Sequence, residues 1–211
     1  MIVAIEAGIS GGKTTLCKAL DGVKFYEPLQ DDNPFLEKFY ADPKRWATQM
    51  QIHTLTIRYR QWMEAQARSM NSGAVCIMDR TIFLDAAFAK INHDSGNISD
   101  DEFNSYMLLH ETMQANIYFP DLIIYLKATP ELCLQRIAER GRECEAGVPI
   151  EYLRALEKAY DEVMDTLRHK CPVVEIDASL SKEEVLARAN VAIGVRRAAL
   201  NERWPRWKGG F

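Results

Sequence analysis

The sequence predicts a single α/β domain built on a parallel β-sheet, and three observations support this fold class. Five short apolar runs of four to seven residues alternate with longer stretches of helical spacing. The first run leads through three glycines into the start of a helix. The chain of 211 residues can bury one sizeable core, and it contains no repeat or linker that would separate a second domain. We therefore expect one domain over residues 1–211.

The five apolar runs are the predicted strands. They cover residues 2–5, 23–26, 74–78, 121–127 and 173–176. Because the helical stretches between them permit right-handed crossovers, we expect all five strands to run parallel in one sheet. Such sheets bind ligands beyond the carboxyl ends of their strands. Residues 8–14, Glu27, Asp79 and Arg80 lie at those ends and are the first candidates for a site.

The helices are predicted from apolar periodicity and from their end signals. The strongest pattern covers residues 43 to about 70, with Asp42 as N-cap before Pro43. Ser99 caps a helix over residues 100 to about 118, and Ser181 with Glu184 forms the capping box of the last helix. Further helices are expected from residue 14 onward, over 82 to about 92, over 130–142 and over 149 to about 170. The tail from about 201 to 211 is expected to lie on the body or to fray.

Composition narrows the class of protein. The formal net charge of −4 disfavours a general nucleic-acid binder, so we expect no nucleic-acid partner. No apolar run is long enough to span a bilayer, and Met1 leads directly into the first predicted strand, so we expect neither a membrane partner nor a signal peptide. The five cysteines are odd in number and lack C-x-x-C spacing, which predicts free thiols and a cytoplasmic location.

A phosphate-binding loop is predicted between the first strand and the first helix. The letters AGISGGKT match G-x-x-x-x-G-K-[ST] except at the first position, where Ala7 replaces glycine. Backbone N–H groups and the helix dipole favour an anion there, Lys13 would reach the terminal phosphates, and the Thr14 hydroxyl would ligate Mg²⁺. The alternative is an ordinary glycine-rich turn. The candidate nucleotide-binding residues are Gly8, Ile9, Ser10, Gly11, Gly12, Lys13, Thr14 and Thr15.

Two further strand ends carry groups suited to phosphoryl transfer. Glu27 follows the second strand, where a carboxylate could take the proton of an attacking hydroxyl; a solvated turn residue is the alternative. Asp79 could hold Mg²⁺ through water, and Arg80 could stabilise negative charge on the transferred group. For this pair the alternative is a structural ion pair.

Two polar clusters predict a pocket and a lid. Gln51, Thr54 and Arg58 share one helix face, and Asp85 could pair with Arg58 to read the edge of a nucleobase; a buried helix–helix salt bridge is the alternative. Three arginines end a helix before residues 141–147 and could close over ATP phosphates as a lid over about 136–147. Cations complementing the helix dipole are the alternative for these arginines. They are Arg136, Arg140 and Arg142.

Several separate motifs in one order give the sequence a family resemblance over residues 1–180. They are EAGISGGKTT, YEP, DPKRWATQMQ, DRT, PDLIIYLKATPE and RIAERGRECEAGVPIEYL. The chain resembles deoxyribonucleoside kinases of the deoxycytidine/deoxyguanosine/deoxyadenosine kinase type. This resemblance implies a P-loop kinase fold with a five-stranded parallel sheet and an arginine-rich lid. It also implies transfer of the γ-phosphate of ATP to the 5′-hydroxyl of a deoxynucleoside, with Mg²⁺ as cofactor.

The resemblance assigns roles to individual residues. Glu27 matches the general base, Asp79 the acid near Mg²⁺, and Arg80 the arginine at the 5′-hydroxyl and phosphate. Tyr40 and Glu145 match the residues that hold the sugar 3′-hydroxyl. Base recognition matches Gln51, Arg58 and Asp85, and the ATP lid matches Arg136, Arg140 and Arg142. Since thymidine-type relatives lack the arginine–aspartate pair, a deoxypurine or deoxycytidine is the expected substrate. A homodimer is also expected, with the helix over residues 43–70 as a candidate contact.

Two alternatives of other kinds remain at this point. A nucleoside monophosphate kinase shares the phosphate loop and lid, and a catalytically silent relative could serve as a subunit of an assembly. Two departures from the family pattern are Ala7-Gly8, where relatives have Gly-Asn, and Cys144 beside Glu145 in the lid. Neither removes a group needed for chemistry, so we expect an active enzyme.

Overall fold

A parallel sheet of five strands forms the centre of the molecule, as the sequence predicts. The computed structural model describes residues 1–26, 33–142, 145 and 147–203. Its strands lie in the order β2-β3-β1-β4-β5, and every neighbouring pair is parallel. They are β1 (Ile2–Ala7), β2 (Val23–Phe25), β3 (Cys76–Asp79), β4 (Leu122–Lys127) and β5 (Val173–Asp177). The first strand is central, so the loop that follows it lies in the middle of the binding edge.

Helices cover both faces of this sheet. They are α1 (Lys13–Ala19), α2 (Leu36–Ala41), α3 (Pro43–Ser72), α4 (Asp85–Asp94), α5 (Asp100–Gln114), α6 (Pro130–Arg140), α7 (Ile150–Arg168) and α8 (Lys182–Arg203). Val3 and Ile5 of β1 pack with residues of α1 and α8, whereas Ala4 between them packs with residues of α3, α4 and α7. This division follows from the alternation of side chains along a strand.

Three of the predicted helix starts are confirmed by their caps. The Asp42 side chain accepts the Arg45 N–H at 3.2 Å, and Pro43 opens α3. Ser99 and Glu102 form a reciprocal capping box at α5, and Ser181 forms another with Glu184 before α8. These short polar side chains satisfy N–H groups that lack partners in the first turn of a helix.

Several predicted helix bounds are wrong. The helix expected over 100 to about 118 ends at Gln114: the Asn116 and Ile117 N–H groups donate three residues back, to Met113 and Gln114, and the Tyr118 N–H donates to the Gln66 side chain. The helix expected from residue 82 begins as a 3₁₀ turn over Ile82–Leu84, and α4 starts at Asp85. The helix expected over 130–142 ends at Arg140, where Gly141 with a φ of 67° forms the C-cap.

Two helices differ from the sequence predictions. The short helix α2 is absent from the sequence predictions, and α8 continues to Arg203, so the first residues of the expected tail are helical. The remainder of that tail, residues 204–211, lies outside the described residues. Across the described ranges, no helix combines the length and the apolar character needed to cross a bilayer.

Candidate active site

The phosphate loop occupies the turn between β1 and α1. The Gly11 N–H donates to the Gly8 carbonyl at 3.2 Å, and Gly12 forms the N-cap of α1 with a left-handed φ of 98°. Ser10 also has a positive φ of 60°. A turn of this kind directly before a helix N-terminus is the backbone arrangement that binds phosphate groups.

Lys13 is the first residue of α1, and its side chain is held over the loop. Its Nζ atom donates to the carbonyl oxygens of Ala7 and Gly8, at 3.3 Å each. Although it carries a charge, Lys13 is buried. The structure therefore fixes an ammonium group beside the backbone that would hold a phosphate chain.

Ala7, which departs from the motif, is accommodated without strain. It ends β1, and within the described ranges only Ser10 and Arg80 among non-glycine residues have a positive φ. A Cβ atom added to Gly11 would lie 2.6 Å from the Ala7 Cβ. The alanine methyl therefore uses space that Gly11 leaves open, and Gly11 becomes the position that cannot carry a side chain.

Thr14 and Asp79 are brought together from α1 and the end of β3. The Thr14 hydroxyl donates to Asp79 Oδ2 at 2.5 Å. Mg²⁺ prefers oxygen ligands and commonly takes only one or two from the protein, completing its shell with water and substrate phosphates. A hydroxyl beside a carboxylate at the mouth of a phosphate loop therefore fits this ion.

Arg80 follows β3 directly and is almost fully buried. Its guanidinium carbon lies 4.9 Å from the centre of the Phe88 ring and 5.6 Å from that of Tyr160. Cation–π contacts of this kind orient an arginine. The structure thus holds the Arg80 guanidinium in a fixed position in the wall of the neighbouring cleft.

A cleft of about 130 Å³ opens beside the phosphate loop. Gln51, Thr54 and Arg58 all line it, which confirms that they share one face of α3. Other predicted site residues in its wall are Ile9, Ser10, Lys13, Tyr40, Arg80, Arg140, Arg142 and Glu145. Residues from the first, second, third and sixth helices and from three loops therefore meet in one place, as parallel-sheet topology allows.

Arg58 and Asp85 form a buried ion pair. Their side chains are 5% and 1% exposed, and Arg58 Nη1 donates to Asp85 Oδ1. The pair joins α3 to the first turn of α4, and Arg58 also lines the cleft. Both readings of the sequence are thus compatible with this geometry: the pair connects two helices, and its arginine faces the space where a ligand would bind.

Glu145 is buried and is held by two arginines. It forms ion pairs with Arg140 and with Arg142, the latter at 3.1 Å. Arg136 instead donates to the Ala178 carbonyl at 2.8 Å, on the other side of the loop. The three predicted lid arginines therefore lie around the phosphate loop, but their partners differ.

A second cavity of about 780 Å³ lies across the phosphate loop from the cleft. It is lined by the loop, by Arg136, and by the start of α8, including Val185 and Leu186. The two cavities share four lining residues, which are Ser10, Lys13, Arg140 and Arg142. Two ligands could therefore meet end to end at the loop. Of the predicted nucleotide-binding residues, Ile9 lines the cleft instead, and Gly8 lines neither cavity.

Two predicted residues cannot be placed. Glu27 and Cys144 lie outside the described residues. The last described residue before Glu27 is Tyr26, whose carbonyl accepts the Gln61 side-chain N–H at 2.9 Å. This bond connects the residue after β2 to α3, which forms one wall of the cleft.

Sequence reasoning missed several residues that line the cleft. They include Asn33, Phe39, Phe88 and Tyr152. Burial raises the pKa of Tyr152 to about 12, so its phenol stays protonated, although nearby Arg80 opposes this shift. The aromatic residues carried no distinct signal, because an apolar side chain facing a ligand and one facing the core give the same periodicity.

A comparison with protein families finds the deoxynucleoside kinase family, whose model matches residues 3–195. Among similar sequences is a deoxyadenosine kinase of Dictyostelium discoideum, 38% identical over 84% of this chain and 72% of its own. A deoxyadenosine/deoxycytidine kinase of Bacillus subtilis is 34% identical over 83% of this chain and 81% of its own.

Solved structures give the same result. A deoxyadenosine kinase from M. mycoides, with the products dCMP and a flexible dCDP bound, matches with a TM-score of 0.81 and 30% identity, over 92% of this chain and all of that one. The same kinase with bound dATP matches with a TM-score of 0.80 and 29% identity, over 92% of this chain and 99% of that one. The likeness thus extends over nearly the whole described fold.

Proposed function

The chain belongs to the deoxynucleoside kinase family and is an ATP-dependent deoxynucleoside kinase, and we propose that it phosphorylates the 5′-hydroxyl of a deoxypurine nucleoside or of deoxycytidine. One observation carries the proposal. A cleft lined by polar and aromatic side chains and a larger cavity meet at the phosphate loop and share Lys13, Arg140 and Arg142. A nucleoside in the first and ATP in the second would place the 5′-hydroxyl against the γ-phosphate.

Phosphoryl transfer depends on positioning and on charge stabilisation more than on covalent chemistry. Lys13 provides positive charge at the junction of the two cavities, and Arg80 provides it in the wall of the cleft. Glu27, at the end of β2, would accept the proton of the attacking hydroxyl. Thr14 and Asp79 would hold Mg²⁺, which when bound neutralises charge on the phosphate oxygens.

The nucleoside would be held by polar groups at its two ends. Gln51 and the Arg58–Asp85 pair lie where a base with matching donors and acceptors would bind, which favours adenine, guanine or cytosine. Phe88 offers an aromatic face in the same cleft. Tyr40 and Glu145 line the cleft as well and would hold the sugar 3′-hydroxyl.

The arginines around the loop support a lid. Arg140 and Arg142 are bound to Glu145, and both also face the second cavity, so they can reach a bound triphosphate with small changes in side-chain conformation. Arg136 lines only the second cavity. Closure of the segment over about 136–147 would exclude water from the transferred phosphoryl group.

A homodimer and a cytoplasmic location complete the proposal. Met63 and Met70 of α3 and Leu108 of α5 are large apolar residues with 41%, 71% and 68% of their surface exposed. Since α3 and α5 pack against each other, a second copy could cover this apolar surface. The four cysteines in the described ranges are free thiols, which is typical of a reducing compartment.

The experiment compares the four deoxynucleosides and their monophosphates as acceptors, with ATP and Mg²⁺. We expect turnover of nucleosides only, with thymidine the poorest. The variant Glu27→Gln should lose roughly 100-fold or more in kcat while nucleoside binding changes little. Near-normal turnover of this variant would remove Glu27 from the mechanism, and turnover of monophosphates alone would overturn the proposed acceptor.

A further inference from the structure

Glu6 is a buried carboxyl group directly behind the active site. It is 0% exposed and is the last residue but one of β1, on the same face of the strand as Ala4. Its Oε1 atom accepts the backbone N–H of Thr81. Within the described part of the chain, its Oε2 atom has no hydrogen-bond partner. The reaction as described above does not use this residue.

Ile5 and Glu6 together hold the backbone at Arg80 and Thr81. Arg80 has a left-handed φ of 81°, a conformation that a residue with a Cβ rarely adopts without support. Its own N–H donates to the Ile5 carbonyl at 3.0 Å, and the next N–H, of Thr81, donates to Glu6. Two consecutive residues of β1 therefore fix two consecutive N–H groups at the bend that directs the Arg80 guanidinium between Phe88 and Tyr160.

A carboxyl group in this environment is unfavourable for folding by itself. Burial raises the pKa of Glu6, and the opposing effects of Arg80, the Thr81 hydrogen bonds and Lys13 are smaller. Glu6 in turn contributes to the raised pKa of Cys17 in α1. A group that costs desolvation energy while supporting a strained backbone is characteristic of a site in which geometry matters for function.

We propose that Glu6 is a positioning residue that holds the Arg80–Thr81 turn, and through it the Arg80 guanidinium, in the geometry needed for phosphoryl transfer. The inference rests on the role proposed for Arg80. It predicts a defect in kcat and not in nucleoside binding, since Glu6 is absent from the walls of both cavities. A purely structural role predicts a loss of folded protein with normal kcat per active site.

The test compares Glu6→Ala, Glu6→Gln, Arg80→Ala and the double variant Glu6→Ala/Arg80→Ala. Alanine removes the acceptor for the Thr81 N–H, whereas glutamine keeps a carbonyl oxygen at that position. We expect kcat to fall about 10- to 100-fold in Glu6→Ala with a nucleoside KM within about threefold of wild type, and to recover most of that loss in Glu6→Gln. In the Arg80→Ala background, Glu6→Ala should cause no further loss, because its effect passes through Arg80.

Several results would overturn the inference. They are a normal kcat in Glu6→Ala, an equal loss in Glu6→Gln, or an additive loss in the double variant. A normal kcat in Arg80→Ala would instead contradict the proposed function of Arg80. If Glu6→Ala does not fold, the same cycle with Glu6→Asp, whose shorter side chain withdraws the acceptor, applies the same criteria. Ile124→Val on the neighbouring strand β4, also fully buried, controls for destabilisation alone.

Discussion

Replacement of Arg58 by methionine should destabilise the fold by about 3–5 kcal/mol, because it leaves the Asp85 carboxylate buried without its charged partner. The side chains of this pair are only 5% and 1% exposed, so water cannot replace the lost contact. Asp85→Ala should cost a similar amount by removing the carboxylate that is paired with the buried guanidinium. The double variant Arg58→Met/Asp85→Ala removes both charges, and we expect a coupling of about 2–3 kcal/mol between the two sites.

Chemical denaturation measures these changes in the free energy of unfolding. The exposed pair Arg68–Glu64, 2.8 Å apart with side chains 53% and 51% exposed, is the matched control on the same helix. Its variant Arg68→Met/Glu64→Ala should change the free energy of unfolding by less than about 1 kcal/mol. Equal effects at the two pairs would refute the argument from burial.

Kinetic assays with the four deoxynucleosides as acceptors test the second part of the prediction, which concerns recognition of the base. If the Arg58–Asp85 pair recognises the base, the double variant should lose about 1–3 kcal/mol of discrimination, which is roughly 10- to 100-fold in the ratio of kcat/KM values. Thymidine should gain relative to the other three nucleosides. A folded, active double variant with an unchanged substrate ranking would reduce the pair to a connection between α3 and α4.

Three other predictions concern the loop, the buried acid and a helix cap. Gly11→Ala should raise the KM for ATP roughly tenfold or more, because the new Cβ would lie 2.6 Å from the Cβ of Ala7. Steady-state kinetics should show that the double variant Ala7→Gly/Gly11→Ala recovers part of this loss in KM. Burial raises the pKa of Glu6 above 4.5, so Glu6 ionises in the unfolded chain at a lower pH than in the folded protein. Wild type should therefore lose stability relative to Glu6→Gln as the pH rises above about 4.5. Denaturation curves that show a pH-independent difference between the two proteins would contradict this. Ser99→Ala should cost about 1 kcal/mol of stability with unchanged kcat, whereas mid-helix Ser105→Ala should cost little, as thermal unfolding would show.

The fold was predictable because its signals are local. Each strand is a short apolar run, and polar caps such as Asp42 and Ser99 mark where the helices begin. The errors lie at places where distant contacts decide. Between α5 and β4, where the helix was expected to continue, Gln66 accepts the Tyr118 N–H from more than 50 positions away. The residues near Tyr118 in the sequence give no signal of that bond.

The site was predictable where spacing fixes geometry. The phosphate loop is a continuous segment, and Gln51, Thr54 and Arg58 lie on one face of a helix because of its period alone. Phe88 and Tyr152 were missed because their position in the cleft depends on how α4 and α7 pack. The pairing of Glu145 with two arginines was missed for the same reason.

The sequence by itself determined the order of the strands and of the helices other than α2, the phosphate loop and the identity of the groups available for chemistry. Only the tertiary structure decided that β1 lies at the centre of the sheet, that the cleft and the larger cavity share one set of residues, and that Glu6 accepts an N–H at the turn after Arg80. The physical reason is the distance along the chain over which each kind of interaction acts. Backbone periodicity and capping act over a few residues, whereas desolvation and the meeting of charges depend on segments that only the folded chain brings together.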